Sequence, residues 1–590
     1  TCIALATVVG LCVLMPAAAL AGPVSAANTT ILGPNVYVFD PAMPAGDVER
    51  VANDIFKKME SNHFGSERCA LLFKPGKYNV DFLVGFYTHV AGLGRNPDDV
   101  QIDGALTVNA KWADGKALDN FWRTLENLAI IPSSDVPWKN NKGITRIAVS
   151  QASPLRRLHV KGELQLFDWG SKGNVGYASG GFLADSVVDG KLVPASQQQW
   201  LSRNSKWGNW NNAVWNTVFV GCENTPPATF PDPPYTIVNK TPVIREKPYL
   251  YVDGSGKYCV LVPALETNTQ GVTWANDPTK GASISLDQFY VAQPATAGAT
   301  ELNAALAEGK HLLFTPGVYK LDDTLKIGKA DTILFGLGWP TLVPTKGQPA
   351  IAVADVDGVK IAGFILDAGA VNSPCLLDVG PAGSAADHAA NPTFLYDLCV
   401  RTAGAGPGRN DVGVTINSNN VVVDHIWIWR ADHGKDVGWT ANPTKNGLVV
   451  NGNGVTIYGL FNEHHKEYQT LWNGNGGRVY MYQSEMPYEV PDQASWMSGD
   501  GKTNGFASYK VADTVTSHEA WGIGIYCYFR DAGVKADTAI EAPIAPGVKL
   551  HHLTTVWLDG KPGSEITHIV NNLGERVAKP AERHTITEFP

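Results

Sequence analysis

The sequence predicts an all-β chain folded as two tandem right-handed parallel β-helices with short capping helices. Three observations predict it. Leu71-Leu72-Phe73-Lys74-Pro75-Gly76-Lys77-Tyr78 is echoed by Leu312-Leu313-Phe314-Thr315-Pro316-Gly317-Val318-Tyr319, and recurrence at so long an offset marks two domains of one architecture. After each copy the chain runs in short β-rich stretches broken by Gly and Asn, without hairpin dipeptides at regular spacing. Finally, Asn451-Gly452-Asn453-Gly454 returns as Asn473-Gly474-Asn475-Gly476, 22 residues on, the rung length of a solenoid.

Taken in chain order, Ile3 to Leu20 is uncharged and apolar and is followed by small residues. Residues 1–26 therefore read as a secretory signal ending at Ala21 or Ala26, so that the protein is secreted and extracellular. Residues 27–224 form the N-terminal β-helix. It opens with an aromatic strand (Val36 to Pro41), a helical stretch (Asp47 to Met59) that caps the stack, the F-x-P-G-x-Y strand, and Gly92-Leu93-Gly94. Residues 225–283 are a Pro-rich linker (Pro226, Pro227, Pro231, Pro233, Pro234) and connecting coils. Residues 284–590 repeat the scheme, with Phe289 to Pro294, the capping stretch Thr300 to Ala307, and Gly336-Leu337-Gly338.

Composition narrows the function. Of 590 residues only 17% are charged, and 47 Lys+Arg against 56 Asp+Glu leave a net charge of −9. There is no basic surplus to neutralise phosphates, which argues against nucleic acid as a partner. With 44% hydrophobic residues the chain can bury a large core. After the signal, Cys69, Cys222, Cys259, Cys375, Cys399 and Cys527 are widely spaced and lack C-x-x-C, so neither zinc nor another metal or cofactor is expected. Cys222 with Cys259 and Cys375 with Cys399 are the sequence-near candidate disulfides; buried free thiols are the alternative.

The 22-residue period aligns Glu463 with Glu485, and the rung before it brings Trp429 into the same column. Stacked like charges oppose stability, so their surroundings must split their pKa values, as general acid/base work on a glycosidic bond requires. Glu485 precedes Met486-Pro487-Tyr488, which favours its protonated form; Glu463 precedes His464, His465 and Lys466, which favour an ionised carboxylate. His464 and His465 point to opposite faces, so one lines the site and the other packs. The Asn-Gly repeats are read as structural ladders at the coil corners. Core packing explains most tryptophans, but Trp200, Trp207, Trp210 and Trp215, among many amides, read as a polar-aromatic loop that suits sugar stacking.

These residues carry a resemblance. The repeat heads, Phe121-Trp122-Arg123 with Glu126-Asn127, and Asn462-Glu463-His464-His465-Lys466-Glu467-Tyr468 with Gln483-Ser484-Glu485-Met486-Pro487-Tyr488, are similar to glycoside hydrolase family 55. The resemblance covers nearly the whole mature chain. It implies pectate-lyase-like solenoids, hydrolysis of laminarin-type β-1,3-glucan from the chain end with inversion, and a site between the two β-helices. It implies Glu485 as general acid and Glu463 as a carboxylate that activates water. Gln151 and Ser179 would hold that water, and Trp429 and Tyr488 would line the sugar site. His464, from strand alternation, and Trp200, from the tryptophan cluster, are the other candidates to meet the sugar. The protein is expected to act as a monomer.

Two other readings stand beside it. A polygalacturonase- or lyase-like enzyme would need paired aspartates or acidic Ca²⁺ clusters, which are absent from the motifs. A non-catalytic glycan-binding β-helix keeps the tryptophans but has no use for stacked glutamates.

Overall fold

Successive strands pair in parallel along both halves of the chain, in a computed structural model that describes residues 29–136, 141–275 and 279–590. The expected signal at residues 1–26 lies outside them. In the first half, a 15-stranded sheet has a main path from Val36–Phe39 through Arg123–Ile131, Pro154–Val160 and Gln199–Arg203 to Tyr235–Val238. In the second half, one path runs from Phe289–Ala292 through Val422–Arg430, Thr456–Glu463 and Gly477–Glu485 to Gly547–Gly560, and a nine-stranded sheet forms another wall. Parallel strands joined rung by rung make two β-helices, right-handed as parallel crossovers are.

The capping helices are Ala45–Met59 and Ala299–Glu308. The first buries Val48, Ala52, Ile55, Phe56 and Met59, an i, i+4, i+7, i+8, i+11 stripe laid over the start of its solenoid. The motif that revealed the repeat has the same job in both copies. Tyr78 Oη donates to the carbonyls of Phe39 (3.0 Å) and Lys74 (2.8 Å), and Tyr319 Oη to those of Ala292 and Thr315 (2.9 Å each). Each tyrosine thus ties its own turn to the end of the strand that precedes the capping helix. The motif glycine is required because a Cβ at Gly76 or Gly317 would sit 2.6 or 2.5 Å from Pro41 or Pro294.

The Asn-Gly rungs form two ladders. Asn473 Nδ2 donates to Asn451 Oδ1 (2.8 Å), and Asn451 Nδ2 to Asn417 Oδ1 (2.7 Å). Beside them, the Asn475 and Asn453 backbone N–H groups donate to Asn453 and Asn419 Oδ1, each at 2.8 Å. Each corner thereby satisfies backbone and side-chain groups that no strand partner reaches.

Strand alternation sets how the two β-helices meet. Along Val422–Arg430, Ile426 and Ile428 join the second solenoid's own core, whereas Trp427 and Trp429 pack with the first half. The next rungs follow suit, with Leu460 and Tyr482 inside and Phe461 at the interface. Trp427 meets Phe121 at 4.5 Å, and Trp122 Nε1 donates to Cys399 Sγ (3.3 Å).

The Pro-rich residues 225–234 carry no strand, but residues 235–283 differ from the expected connecting coils. Tyr235–Val238 continues the first parallel sheet; Thr241–Ile244 pairs antiparallel with Glu266–Thr269, and Tyr249–Val252, Tyr258–Pro263 and Gly281–Ser285 form an antiparallel sheet. The turn at Asp253, whose Oδ1 accepts from the Ser255 and Lys257 N–H groups, makes the hairpin. Cys69, Cys222, Cys259, Cys375, Cys399 and Cys527 are all buried free thiols, so neither proposed disulfide is present.

Candidate active site

A cavity of about 580 Å³ opens between the two β-helices, within the usual range for a ligand pocket. The first half contributes Leu118, Asp119, Phe121, Gln151, Tyr177, Ser179, Gln198 and Trp215; the second contributes Trp427, Trp429, Asp432, His433, Glu463, His464, Glu485, Tyr488 and Tyr528, among others.

Parallel register builds one wall. Trp429 pairs with Glu463, and Phe461 with Gln483, which places Glu463 level with Glu485; Glu485 in turn pairs with Tyr526. Alternation then turns Trp427, Glu463, Gln483 and Glu485 towards the first half. Gln483 and Trp427 lie two residues before Glu485 and Trp429, on the same face of their strands.

Glu463 is buried and held by three N–H donors. Gln151 Nε2 (3.0 Å) and Gln483 Nε2 (2.7 Å) donate to Oε1, and Trp427 Nε1 (2.8 Å) donates to Oε2. Ser179 Oγ donates to Gln151 Oε1 at 2.8 Å, and the Ser179 N–H is anchored on Ser150 Oγ at 2.9 Å. A chain of hydrogen bonds therefore crosses from the first β-helix to a carboxylate on the second. A carboxylate has about four lone-pair sites, so one remains for a further donor.

Burial pushes both glutamates up. For Glu485 the nearby Glu463 and Asp432 carboxylates add to burial, and it rises well above the ordinary carboxylate value. For Glu463, burial is opposed by His464 and by the Trp427 and Gln483 hydrogen bonds, so its rise is smaller. The pair therefore sheds its first proton from Glu463 and holds the second longer on Glu485, which lies against the Tyr488 hydroxyl. The expected neighbours of Glu463 need correcting. His464 acts on it, but His465 is buried and pushed down to about 3, hence neutral, and Lys466 lies over the Trp439 ring.

His464 and Tyr488 line the cavity edge to face, with ring centroids 4.4 Å apart. Trp429 lines it too, stacked on Trp427 at 4.8 Å. Trp200 does not. It is fully buried in the first solenoid, where Gly181 leaves room for its ring; a Cβ there would come within 2.5 Å. Trp207 and Trp210 pack on Phe219, and only Trp215 of that cluster reaches the cavity. Strand alternation, not the polar neighbourhood, decides where these rings go.

Asp432, His433, Asp119, Trp427 and Tyr528 are among the lining residues that sequence reasoning did not single out. Asp432 is buried, yet the His433 hydrogen bond and the His464 and His433 imidazoles hold its carboxyl well below the usual range. Asp119 is pushed up by burial. Among the described residues, no three His, Cys, Asp or Glu side chains converge to hold a metal ion.

The raised pKa of Glu485 has a cost in stability. Its contribution is fully present below the unfolded carboxylate value of about 4.3 and is lost as pH rises through the folded value. Glu485→Gln, which is never charged, is therefore expected to raise the thermal midpoint at about pH 8 and to change it little at about pH 4. A pH-independent change in calorimetry would contradict the assignment.

Comparison with known proteins comes out on one side. The profile of a LAM55 pectate lyase-like domain matches residues 289–485. A relative named exo-beta-1,3-glucanase, from Streptomyces sp. (strain SirexAA-E / ActE), is 49% identical over 546 residues, covering 92% of this chain and 87% of its own. The solved structure of sacteLam55A from Streptomyces sp. SirexAA-E has a TM-score of 0.90 at 48% identity, covering 95% of this chain and 99% of its own. A glutamate-to-alanine variant of sacteLam55A in complex with glucose also has a TM-score of 0.90 at 48% identity, covering 95% of this chain and 98% of its own.

Proposed function

The chain belongs to glycoside hydrolase family 55, and from that premise we propose that it releases glucose from β-1,3-glucan chain ends, with inversion, in the cavity between its β-helices. The observation that carries this reading is the hydrogen-bond chain Ser179–Gln151–Glu463, which joins the two halves beside Glu485. The name of its Streptomyces relative supports the substrate and the direction of attack.

In this reading Glu485 gives its proton to the glycosidic oxygen as the bond breaks. Glu463 takes a proton from the attacking water on the opposite side of the sugar. Ser179, whose one hydroxyl hydrogen is engaged in the hydrogen bond to Gln151 Oε1, can only accept from that water. The water then directs one hydrogen to Glu463 and the other to Ser179, which leaves a lone pair for the anomeric carbon.

Inversion needs carboxyl groups ~6.5–9.5 Å apart, whereas neighbouring rungs lie only ~4.8 Å apart at the backbone. The hydrogen bonds favour a splay, although Gln483 also holds Glu463 from the Glu485 rung. Glu463 is drawn to Trp427 on the preceding rung and to Gln151, while Glu485 lies against Tyr488 beyond it. The expected result is glucose from laminarin from the earliest times, little from pustulan or pectin, and the α-anomer first by proton NMR. The β-anomer appearing first would mean retention; binding of laminarin without cleavage would leave a glycan-binding module.

A further inference from the structure

Behind Gln151, four buried carboxylates meet three fixed cations where the β-helices abut. Arg156 grips Asp397 through Nε and Nη2 (2.7–3.0 Å) and Asp424 through Nη1 (2.6 Å). Arg203 joins Asp424 (2.8 and 2.9 Å) to Glu246 (2.6 and 2.7 Å). Lys247 joins Glu126 (2.7 Å) to Asp397 (3.3 Å). That leaves the fully buried cluster with one negative charge in excess of its arginines and lysine, which a low-dielectric interior disfavours.

Two imidazoles touch the cluster, and their partners differ. His89 Nδ1 accepts the Gly338 N–H (3.3 Å), so its proton is on Nε2, 2.9 Å from Glu126 Oε1, and the ring is neutral. His425 has acceptors on both sides, Asp397 Oδ1 at 3.1 Å from Nδ1 and the Gln151 carbonyl at 3.1 Å from Nε2. Both of its nitrogens must therefore donate, which makes it the fourth cation. The ring is clamped flat against Phe182 at 4.9 Å.

The Gln151 carbonyl is no ordinary acceptor. Gln151 has φ of +26°, an unfavourable backbone for a residue with a side chain. Its carbonyl receives only local help from the Ser153 N–H (2.7 Å). The same residue sends its amide to Glu463.

We propose that His425 is a positioning residue, whose Nε2–H holds the Gln151 carbonyl and so aims the Gln151 amide at Glu463 and Ser179, the two groups that orient the attacking water. The inference rests on the proposed roles of Gln151 and Glu463. His425 touches neither of the two glutamates, so its loss lowers the fraction of bound substrate that meets an aligned water rather than the affinity for substrate.

Three variants test it. The amide nitrogen of Gln stands near imidazole Nε2 and that of Asn near Nδ1, while Phe fills the ring's place with neither donor. On laminarin, His425→Asn and His425→Phe are expected to lose about 10- to 10²-fold in kcat, the scale of a small misplacement at a reacting centre, with KM nearly unchanged. His425→Gln recovers most of the rate, although all three variants lose the buried cation and melt earlier. Equal kcat for the Asn and Gln variants, or a loss confined to KM, overturns the proposal; should the Phe variant not fold, the Asn–Gln comparison decides alone. Wild type and Glu485→Gln, assayed alongside, test the hydrolase reading separately. A wild type that does not cleave laminarin defeats that reading and, with it, the role assigned to His425.

Discussion

Glu485→Gln is expected to slow laminarin hydrolysis by about 10²–10⁴-fold, the usual contribution of positioned proton transfer, while aryl β-glucosides with good leaving groups lose far less. The substitution keeps the shape of the side chain and its place against Tyr488. What it removes is the proton that burial and the Glu463 and Asp432 carboxylates keep on Glu485. An alkoxide leaving group needs that proton and a stable phenolate does not. Glu463→Gln should behave differently, since every substrate needs the activated water, and both substrate types should fall together. The pH profile carries the same signature. Activity rises as Glu463 loses its proton and falls as Glu485 loses its own, and burial moves both limbs above the ordinary carboxylate value of about 4.3. In Glu485→Gln the alkaline limb should vanish from the residual aryl-glucosidase activity. Equal losses on both substrates, with that limb intact, would take the acid role away from Glu485.

The column of Trp429, Glu463 and Glu485 was legible in the sequence because a solenoid turns sequence period directly into spatial register. One Asn-Gly repeat fixed the rung length, and the parallel pairing follows it residue by residue. The same rule could have found Trp427 and Gln483, two residues before Trp429 and Glu485, had alternation been applied to the strands as well as the period. Trp200 was misplaced for the converse reason. Its amide-rich neighbours suggested a loop, but it lies within Gln199–Arg203, a parallel strand with every residue buried. The charged cluster was illegible. Arg156 meets Asp397 and Asp424 across separations of 241 and 268 residues, and no local pattern in the chain marks them as partners. The connecting segment, expected to be a Pro-rich linker and connecting coils, supplies Glu246 and Lys247 to that cluster.

The largest loss of stability is expected from Arg156→Met, at about 3–5 kcal/mol, the usual cost of leaving a buried charge without its partner. Arg156 stands on the first β-helix, and both its carboxylates stand on the second. Methionine keeps the length and apolar stem but removes every donor. Asp424 retains Arg203, whereas Asp397 keeps only Lys247 at 3.3 Å and His425 at 3.1 Å. The damage therefore centres on Asp397, and the double variant Arg156→Met with Asp397→Asn should recover part of the loss; additive effects would mean the two side chains are not coupled. The dependence on pH has a definite sign. Despite burial, Arg156 and Lys247 hold the Asp397 carboxyl far below its ordinary value. Its contribution is full above an unfolded pKa of about 3.9 and declines as pH falls from there towards the folded value. The gap between wild type and Arg156→Met should accordingly be widest near neutral pH and narrow below about pH 4. Because the broken contact lies between the β-helices, the variant's melting curve should also split into two transitions, one for each solenoid. A single transition at the wild-type midpoint would show that the two halves are held together by the aromatic packing around Phe121 and Trp427, with the ion network adding nothing.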